Sequence, residues 1–297
     1  MLDIMKQIER GVLVCPVSGL PLQVGPNGET LVSADNSRSY PFLDGRVPIL
    51  LADPDALAGY ATASQKMNDE YNADTRPFNL NVMLNRVQKL LVPDYRKKSS
   101  VRAVARIFDR RPADALCLSI GGGPERNHPS LVNLNIGPFP NVELVADAHQ
   151  LPYADGSVDA IFCDAVIEHL SNPARAAAEM FRVLKPSGEI FVSTPFLQAY
   201  HGYPYHFQNF TLTGHEHLFR SQGFEISESG ACVGLVYTFF NLTSKFMRYF
   251  LPTVIGLPLL IIWNLISLPF RPIDILLNEH PNAHMLASTT YLVARKL

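Results

Sequence analysis

The chain has 297 residues, 47% hydrophobic and 18% charged, with 25 Lys+Arg against 27 Asp+Glu for a net charge of -2. That apolar content excludes a disordered chain, and the balanced charge leaves no basic footprint for nucleic acid. Cys15, Cys117, Cys163 and Cys232 are widely separated and Met1-Leu-Asp-Ile-Met-Lys6 has no apolar signal region, so a reducing, cytoplasmic setting without disulfides is expected.

Residues 10–52 read as a small β-rich module. Val12-Leu-Val14 precedes Cys15-Pro16, Gly25-Pro-Asn-Gly28 forms a turn, and Asp44-Gly45 signals a hairpin before Val47-Pro-Ile-Leu-Leu51. A module this small must lean on a metal or on a neighbour. Residues 53–113 read as a helical connector: Ala56–Ala73 carries Gly59 as its strongest breaker, and Val82–Leu91 and Val101–Phe108 have apolar residues at helical spacing.

From 114 onward strands and helices alternate, which predicts a parallel α/β sheet. The predicted strands are Ala115–Ile120, Leu131–Ile136, Val142–Ala146, Val158–Cys163, Glu189–Thr194, Phe224–Ser227 and Ser288–Ala294. A helix opens at Pro173 and runs to Leu184, where Pro186-Ser-Gly188 stops it. Thr213-Gly-His-Glu216 reads as a capping box, with Gly223 closing that helix. The core is thus 114–231 plus 284–297, interrupted by an apolar insertion at 232–283.

Gly121-Gly122-Gly123 ends the first strand. Glycines let the backbone approach a ligand, and their N–H groups can hold the anionic part of a nucleotide-like cofactor, although they also simply make a tight turn. Ligands of open α/β sheets bind at the carboxyl ends of the strands. Asn135 stands there to bond a ribose hydroxyl, Asp147 to accept from an adenine amino group, and Asp164 to complete the site. The loop Pro195–Thr211 is dense in aromatics and carries His201 and His206. A histidine of near-neutral pKa suits deprotonation of a substrate O–H or N–H group, as would His169 or Glu168 after the fourth strand. The plainer reading is an aromatic lid with its histidines bonded to backbone. No carboxylate or cysteine accompanies His201, His206, His215 and His217 at a recognised ligand spacing, so no metal is assigned.

Several of these stretches occur together in order: Ser119-Ile-Gly-Gly-Gly-Pro124, Val132-Asn-Leu-Asn-Ile136, Val145–Asp159, Ile167-Glu-His-Leu170 and Phe181–Gly188. On them, residues 114–230 resemble a class I S-adenosylmethionine-dependent methyltransferase of the type 11 group. The resemblance implies a Rossmann-like seven-stranded sheet with an antiparallel last strand. It implies methyl transfer from the sulfonium of S-adenosylmethionine. By the same resemblance Gly121, Gly122, Gly123, Asn135, Asp147, Ala148 and Asp164 hold the cofactor, and His201, His206 or His169 orients or deprotonates the acceptor. Ser119, Glu125 and Asn135 depart from the family's usual residues, and Pro124–Ser130 leave room for only a stub of the first helix. A non-catalytic methyltransferase-like binding or scaffold protein is therefore the alternative. The N-terminal module resembles a zinc-ribbon-like domain whose ligand positions would be Cys15, Ser18, Ser33 and Asn36. With one cysteine among four, it is expected to be metal-free.

Between Ser229 and Phe270 the charges are Lys245 and Arg248 alone, and Tyr249–Phe270 has none. Pro252, Gly256, Pro258, Asn264 and Pro269 argue against a straight span. A lid or a dimer interface would bury such a segment. Attachment to a membrane surface through 235–275 would too, with Lys245, Arg248 and Arg271 facing headgroups. The acceptor would then be a small molecule, a lipid or a lipid-linked glycan.

Overall fold

Apolar runs broken by Gly, Asp and Pro give strands buried on both faces, the pattern of a parallel sheet covered on both sides. In the computed structural model, which describes residues 4–53, 59, 95–123, 126, 128–201 and 205–297, the first of these is Cys117–Ile120, buried throughout. The chain-order elements before it are α1 (Ile4–Glu9), β1 (Leu22–Val24), β2 (Thr30–Ser33), β3 (Ser39–Leu43), β4 (Val47–Leu50) and α2 (Lys98–Phe108). After β5 (Cys117–Ile120) come β6 (Leu131–Asn135), β7 (Leu144–Ala146), β8 (Val158–Asp164), α3 (Pro173–Val183), β9 (Leu184–Pro195), α4 (Leu212–Arg220) and β10 (Phe224–Val233). The insertion supplies α5 (Leu235–Phe250), α6 (Thr253–Ser267) and α7 (Asp274–Leu277), and β11 (Thr289–Lys296) closes the chain.

The strands form one sheet in the order β1-β2-β3-β4-β7-β6-β5-β8-β9-β11-β10. Neighbours from β7 through β9 are parallel, and β11 is antiparallel to both β9 and β10. Order reverses between β5 and β8, which is the switch point where open α/β sheets place ligands. The seven strands β5 to β11 have the expected parallel core and antiparallel last strand.

Three local readings are corrected. The cap of α4 is Thr211, whose hydroxyl accepts from Gly214 N–H at 3.1 Å, not Thr213; Glu216 instead accepts from Ser229 Oγ at 2.5 Å. Strand β9 starts at Leu184 without a gap after α3, and the register break between Val158 and Ala160 absorbs Lys185–Gly188. Strand β10 runs on to Val233, beyond Ser227. Between Gly123 and Leu131 the described residues show turns and no helix. Ala56–Ala73, apart from Gly59, and Val82–Leu91 lie outside the described residues, while Val101–Phe108 falls within α2.

The N-terminal module is an antiparallel meander. Asp44 and Gly45 both have positive φ, 49° and 66°, in the three-residue loop between Leu43 and Val47, where Arg46 N–H donates to the Leu43 carbonyl at 3.0 Å. Its last strand pairs in parallel with β7, Ile49 opposite Val145, so the module extends the main sheet. Leu13 bridges to Tyr153, and the buried Tyr153 hydroxyl donates to Gln7 Oε1 at 3.0 Å. Among the residues expected at ligand positions, Cys15 Sγ lies 3.1 Å from Tyr40 Oη and accepts from Ser18 N–H at 3.3 Å. Ser33 Oγ donates to Asp35 Oδ1 at 2.6 Å and accepts from Arg38 N–H at 3.0 Å. Hydrogen bonds thus close both turns.

Helix α5 is pinned by Asp274, which accepts from the N–H groups of Val236 at 2.9 Å and Tyr237 at 2.7 Å. Helices α5 and α6 pack through Phe240 against Trp263, ring centroids 5.0 Å apart. Arg271 is 3% exposed and donates to Ser267 Oγ at 2.8 and 2.6 Å, so it is buried inside the insertion rather than facing outward as expected.

Candidate functional site

Five strands deliver side chains to one end of the sheet. After β5, Gly121 and Gly123 adopt the left-handed region, φ 71° and 59°. A Cβ on Gly121 would lie 2.9 Å from Val166 Cγ1 and closer still to Cγ2. A Cβ on Gly122 would lie 2.7 Å from Ser119 Oγ and closer still to Asn133 Oδ1. Those two oxygens are buried and have no hydrogen-bond partner among the described residues. Asn133 Nδ2 donates to the Gly123 carbonyl at 3.2 Å and fixes the turn. The turn is therefore a backbone cradle over two unsatisfied polar atoms, which fits a polar ligand. Asn133 was missed from the sequence, where the signal was an amide in the middle of an apolar strand.

Asn135 ends β6, and its Oδ1 accepts from Gly137 N–H at 3.2 Å. Asp147, after β7, accepts at Oδ1 from His149 N–H at 2.8 Å and lies 2.7 Å from His149 Nδ1. Burial opposes ionisation of Asp147, yet the His149 hydrogen bonds prevail and hold its pKa below the ordinary carboxylate value. Both bonds use Oδ1. Ala148 beside it is buried. Asp164, ending β8, accepts from Ser193 Oγ and from Arg96 Nη1, the latter at 3.0 Å. Nothing in the sequence pairs Arg96 with this carboxylate.

The histidines gather on the other side of the switch point. Glu168 is fully buried in the short 3-10 turn Ile167–His169. His169 Nε2 and His201 Nε2 each lie 3.7 Å from its Oε1. His169 Nδ1 is 2.6 Å from the Tyr205 carbonyl and His201 Nδ1 is 3.1 Å from the Ala199 carbonyl. His206 Nδ1 accepts from His201 N–H at 3.2 Å, and its Nε2 is 2.6 Å from Asn209 Oδ1. The His201 and His206 ring centroids are 4.4 Å apart. The Glu168 carboxylate raises the pKa of His201, whereas burial lowers that of His169. All three candidate histidines thus converge. His215 does not: it is buried between α4 and β11, with Nδ1 3.3 Å from Thr290 Oγ1.

Residues 127–192 match the type 11 methyltransferase domain family. An uncharacterized chloroplastic methyltransferase of Arabidopsis thaliana is 38% identical over 92 residues, covering 30% of this chain and 25% of its own. A probable S-adenosylmethionine-dependent methyltransferase of Mycolicibacterium smegmatis is 32% identical over 98 residues, covering 31% and 38%. A ubiquinone/menaquinone biosynthesis C-methyltransferase of Klebsiella pneumoniae is 38% identical over 80 residues, covering 24% and 32%. The chain thus spans only a quarter to two-fifths of the length of these relatives. Among solved structures, the 1,6-didemethyltoxoflavin-N1-methyltransferase of Burkholderia thailandensis aligns over 90% of this chain and 99% of its own, at 14% identity and a TM-score of 0.43. The matched segment runs from the first crossover into β9, and over it the chain is similar to S-adenosylmethionine-dependent methyltransferases.

Proposed function

We propose that this chain transfers a methyl group from S-adenosylmethionine to an acceptor held under the Pro195–Thr211 loop. The observation that carries this reading is the meeting of two half-sites across the β5/β8 switch point. One is the Gly121–Gly123 cradle with Asp147, the other the cluster of Glu168, His169, His201 and His206. Val166 joins them by packing on Gly121. The bound cofactor supplies an electrophilic methyl. Gly121, Gly122 and Gly123 would border its amino-acid portion, with Asn135, Asp147, Ala148 and Asp164 around its nucleoside. The histidines would orient the acceptor and take its proton, and alignment of nucleophile and methyl would provide most of the acceleration.

The finer reading is that α5 and α6 rest on a lipid surface and that the acceptor is a lipid or a lipid-linked glycan. It is supported by the polarity of α6, which is turned inside out. Its buried positions are Gly256, Leu260, Asn264 and Ser267, while Val254, Ile255, Ile262, Leu265 and Ile266 are exposed. Water-facing helices put polar residues outside; helices in lipid put small and polar residues at the helix contact. Among the described residues no single helix is long and apolar enough to cross a membrane. Thr253–Ser267 and Arg271–Leu277 reach that mark only as a pair bent by 48°. The relative named for ubiquinone/menaquinone biosynthesis agrees with an apolar acceptor.

The scaffold alternative draws on Asp164, whose two oxygens are already bonded within the chain, and on Asn135, whose Oδ1 accepts from Gly137. Calorimetry with S-adenosylmethionine on the full-length protein separates the two. Saturable binding is expected, and no heat at millimolar cofactor would favour the scaffold.

A further inference from the structure

The carboxylate of Glu168 is buried, and its Oε1 receives no hydrogen bond among the described residues. Two imidazoles nevertheless point at it. Each has its Nδ1 against a backbone carbonyl, Tyr205 for His169 and Ala199 for His201. A carbonyl can only accept, so Nδ1 carries the proton in both rings. In the neutral rings Nε2 then holds a lone pair, and both Nε2 atoms face Oε1 at 3.7 Å. Three lone pairs converge on one space. Such an arrangement needs positive charge at its centre, and a single proton would bridge only one of the two nitrogen–oxygen pairs.

We propose that Glu168, His169 and His201 bind one divalent transition-metal cation of the zinc class. The three ligand atoms lie within 4.8 Å of one another. Zinc bonds of 2.0–2.1 Å in tetrahedral array set ligand atoms about 3.3 Å apart, so each 3.7 Å pair closes by a few tenths of an ångström. The Nδ1–H bonds to carbonyls are the outward contacts by which metal-binding histidines are oriented. His206 is not a ligand, because both its nitrogens are engaged in the loop. His169 and His201 are only partly buried, which leaves the outer side for a fourth ligand. Two histidines, one carboxylate and an open position suit an exchangeable site. If methyl transfer proceeds as proposed above, the fourth ligand is an acceptor oxygen whose pKa the cation lowers; binding of the cation does not depend on that reading.

Full-length protein stripped by chelator is titrated with Co2+, followed by its visible absorption and by elemental analysis. One Co2+ per chain is expected, displaced by Zn2+. His201→Ala and Glu168→Gln should each weaken binding more than about tenfold, and Cys15→Ser should leave it unchanged. Circular dichroism reports whether each variant folds. His201 is the more exposed of the two, so His201→Ala decides the matter if Glu168→Gln fails to fold. Folded wild type that binds neither ion at about 0.1 mM overturns the site. So does a stoichiometric metal that His201→Ala keeps and Cys15→Ser removes. S-adenosylmethionine calorimetry on the same sample is read separately. Cofactor bound without cation removes only this site, and cation bound without cofactor removes only the methyltransferase reading.

Discussion

Gly121 and Val166 are in such close contact that no side chain fits between them: a Cβ at 121 would stand 2.9 Å from Val166 Cγ1 and nearer to Cγ2. The turn after β5 and the stretch after β8 meet there, so this contact sets the distance between the glycine cradle and the histidine cluster. Gly121→Ala should destabilise the fold by about 1–2 kcal/mol through its φ of 71°, and by about 1–3 kcal/mol more through overpacking. Urea denaturation measures the sum. Adding Val166→Ala should restore the packing share and not the backbone share. A loss below about 0.5 kcal/mol for the single variant would mean that the two segments are not held together.

The alternation of strands and helices was legible because the buried strands β5 to β8 are apolar runs closed by Gly, Asn or Asp. Asp44-Gly45 and Pro173 were legible for the same reason, since their backbone chemistry is local. The pairing of β4 with β7 was not, because parallel neighbours far apart in sequence leave no local mark. Thr211 and Thr213 are equivalent by composition, and only the path of the loop selects the first. Of the site, the glycines and the three histidines were readable as residue types. The approach of His201 to Glu168 and His169 was not, because those two follow β8 and His201 follows β9, and only the sheet register brings those ends together.

Asp147 offers a direct probe of the cradle's far side. Its Oδ1 is occupied by His149, whose Nε2 in turn accepts from Asn172 N–H at 3.2 Å. Asp147→Ala should therefore weaken S-adenosylmethionine binding by about 1–3 kcal/mol, the range for losing a hydrogen bond to a buried group. The same change should loosen the start of α3. Asp147→Asn keeps an acceptor and should fall between the two. Calorimetry at fixed pH distinguishes them, and equal affinity for all three would place the nucleoside elsewhere.

His215 makes acid stability a readout of the core. Burial alone drives its pKa down from 6.5 to about 3. In the unfolded chain it takes up a proton near pH 6.5, and in the folded chain it does not. Stability is thus unaffected above that pH and falls as pH drops from about 6.5 toward 3, by up to about 1.4 kcal/mol per unit. His215→Gln removes the titrating group. Urea midpoints at pH 7 and pH 5 should differ less in His215→Gln than in wild type. An unchanged difference would show that the ring is protonated in the fold or reaches water.

The insertion gives the sharpest contrast between a water-facing and a lipid-facing surface. Val254 is 82% exposed and Leu276 and Phe250 are 76% exposed. They make few contacts within the chain, so charged substitutions there should shift stability by no more than about 0.5 kcal/mol. In contact with lipid the same changes are costly, since a charge on an apolar membrane-binding face opposes its burial. Lys245 and Arg248 lie on α5 near the Tyr249 ring, and on a lipid-bound α5 a basic side chain near anionic headgroups would add about 1 kcal/mol. Arg271, bonded to Ser267, takes no part. The full-length protein should therefore sediment with vesicles that contain anionic lipid. Val254→Asp combined with Ile262→Asp should release it while leaving its melting temperature nearly unchanged, and salt alone should release it only partly. If the wild type stays in the supernatant as a monomer, the exposed face of α6 is not a lipid contact. If it stays there as a dimer that the two aspartates split, a second copy of the chain covers that face instead.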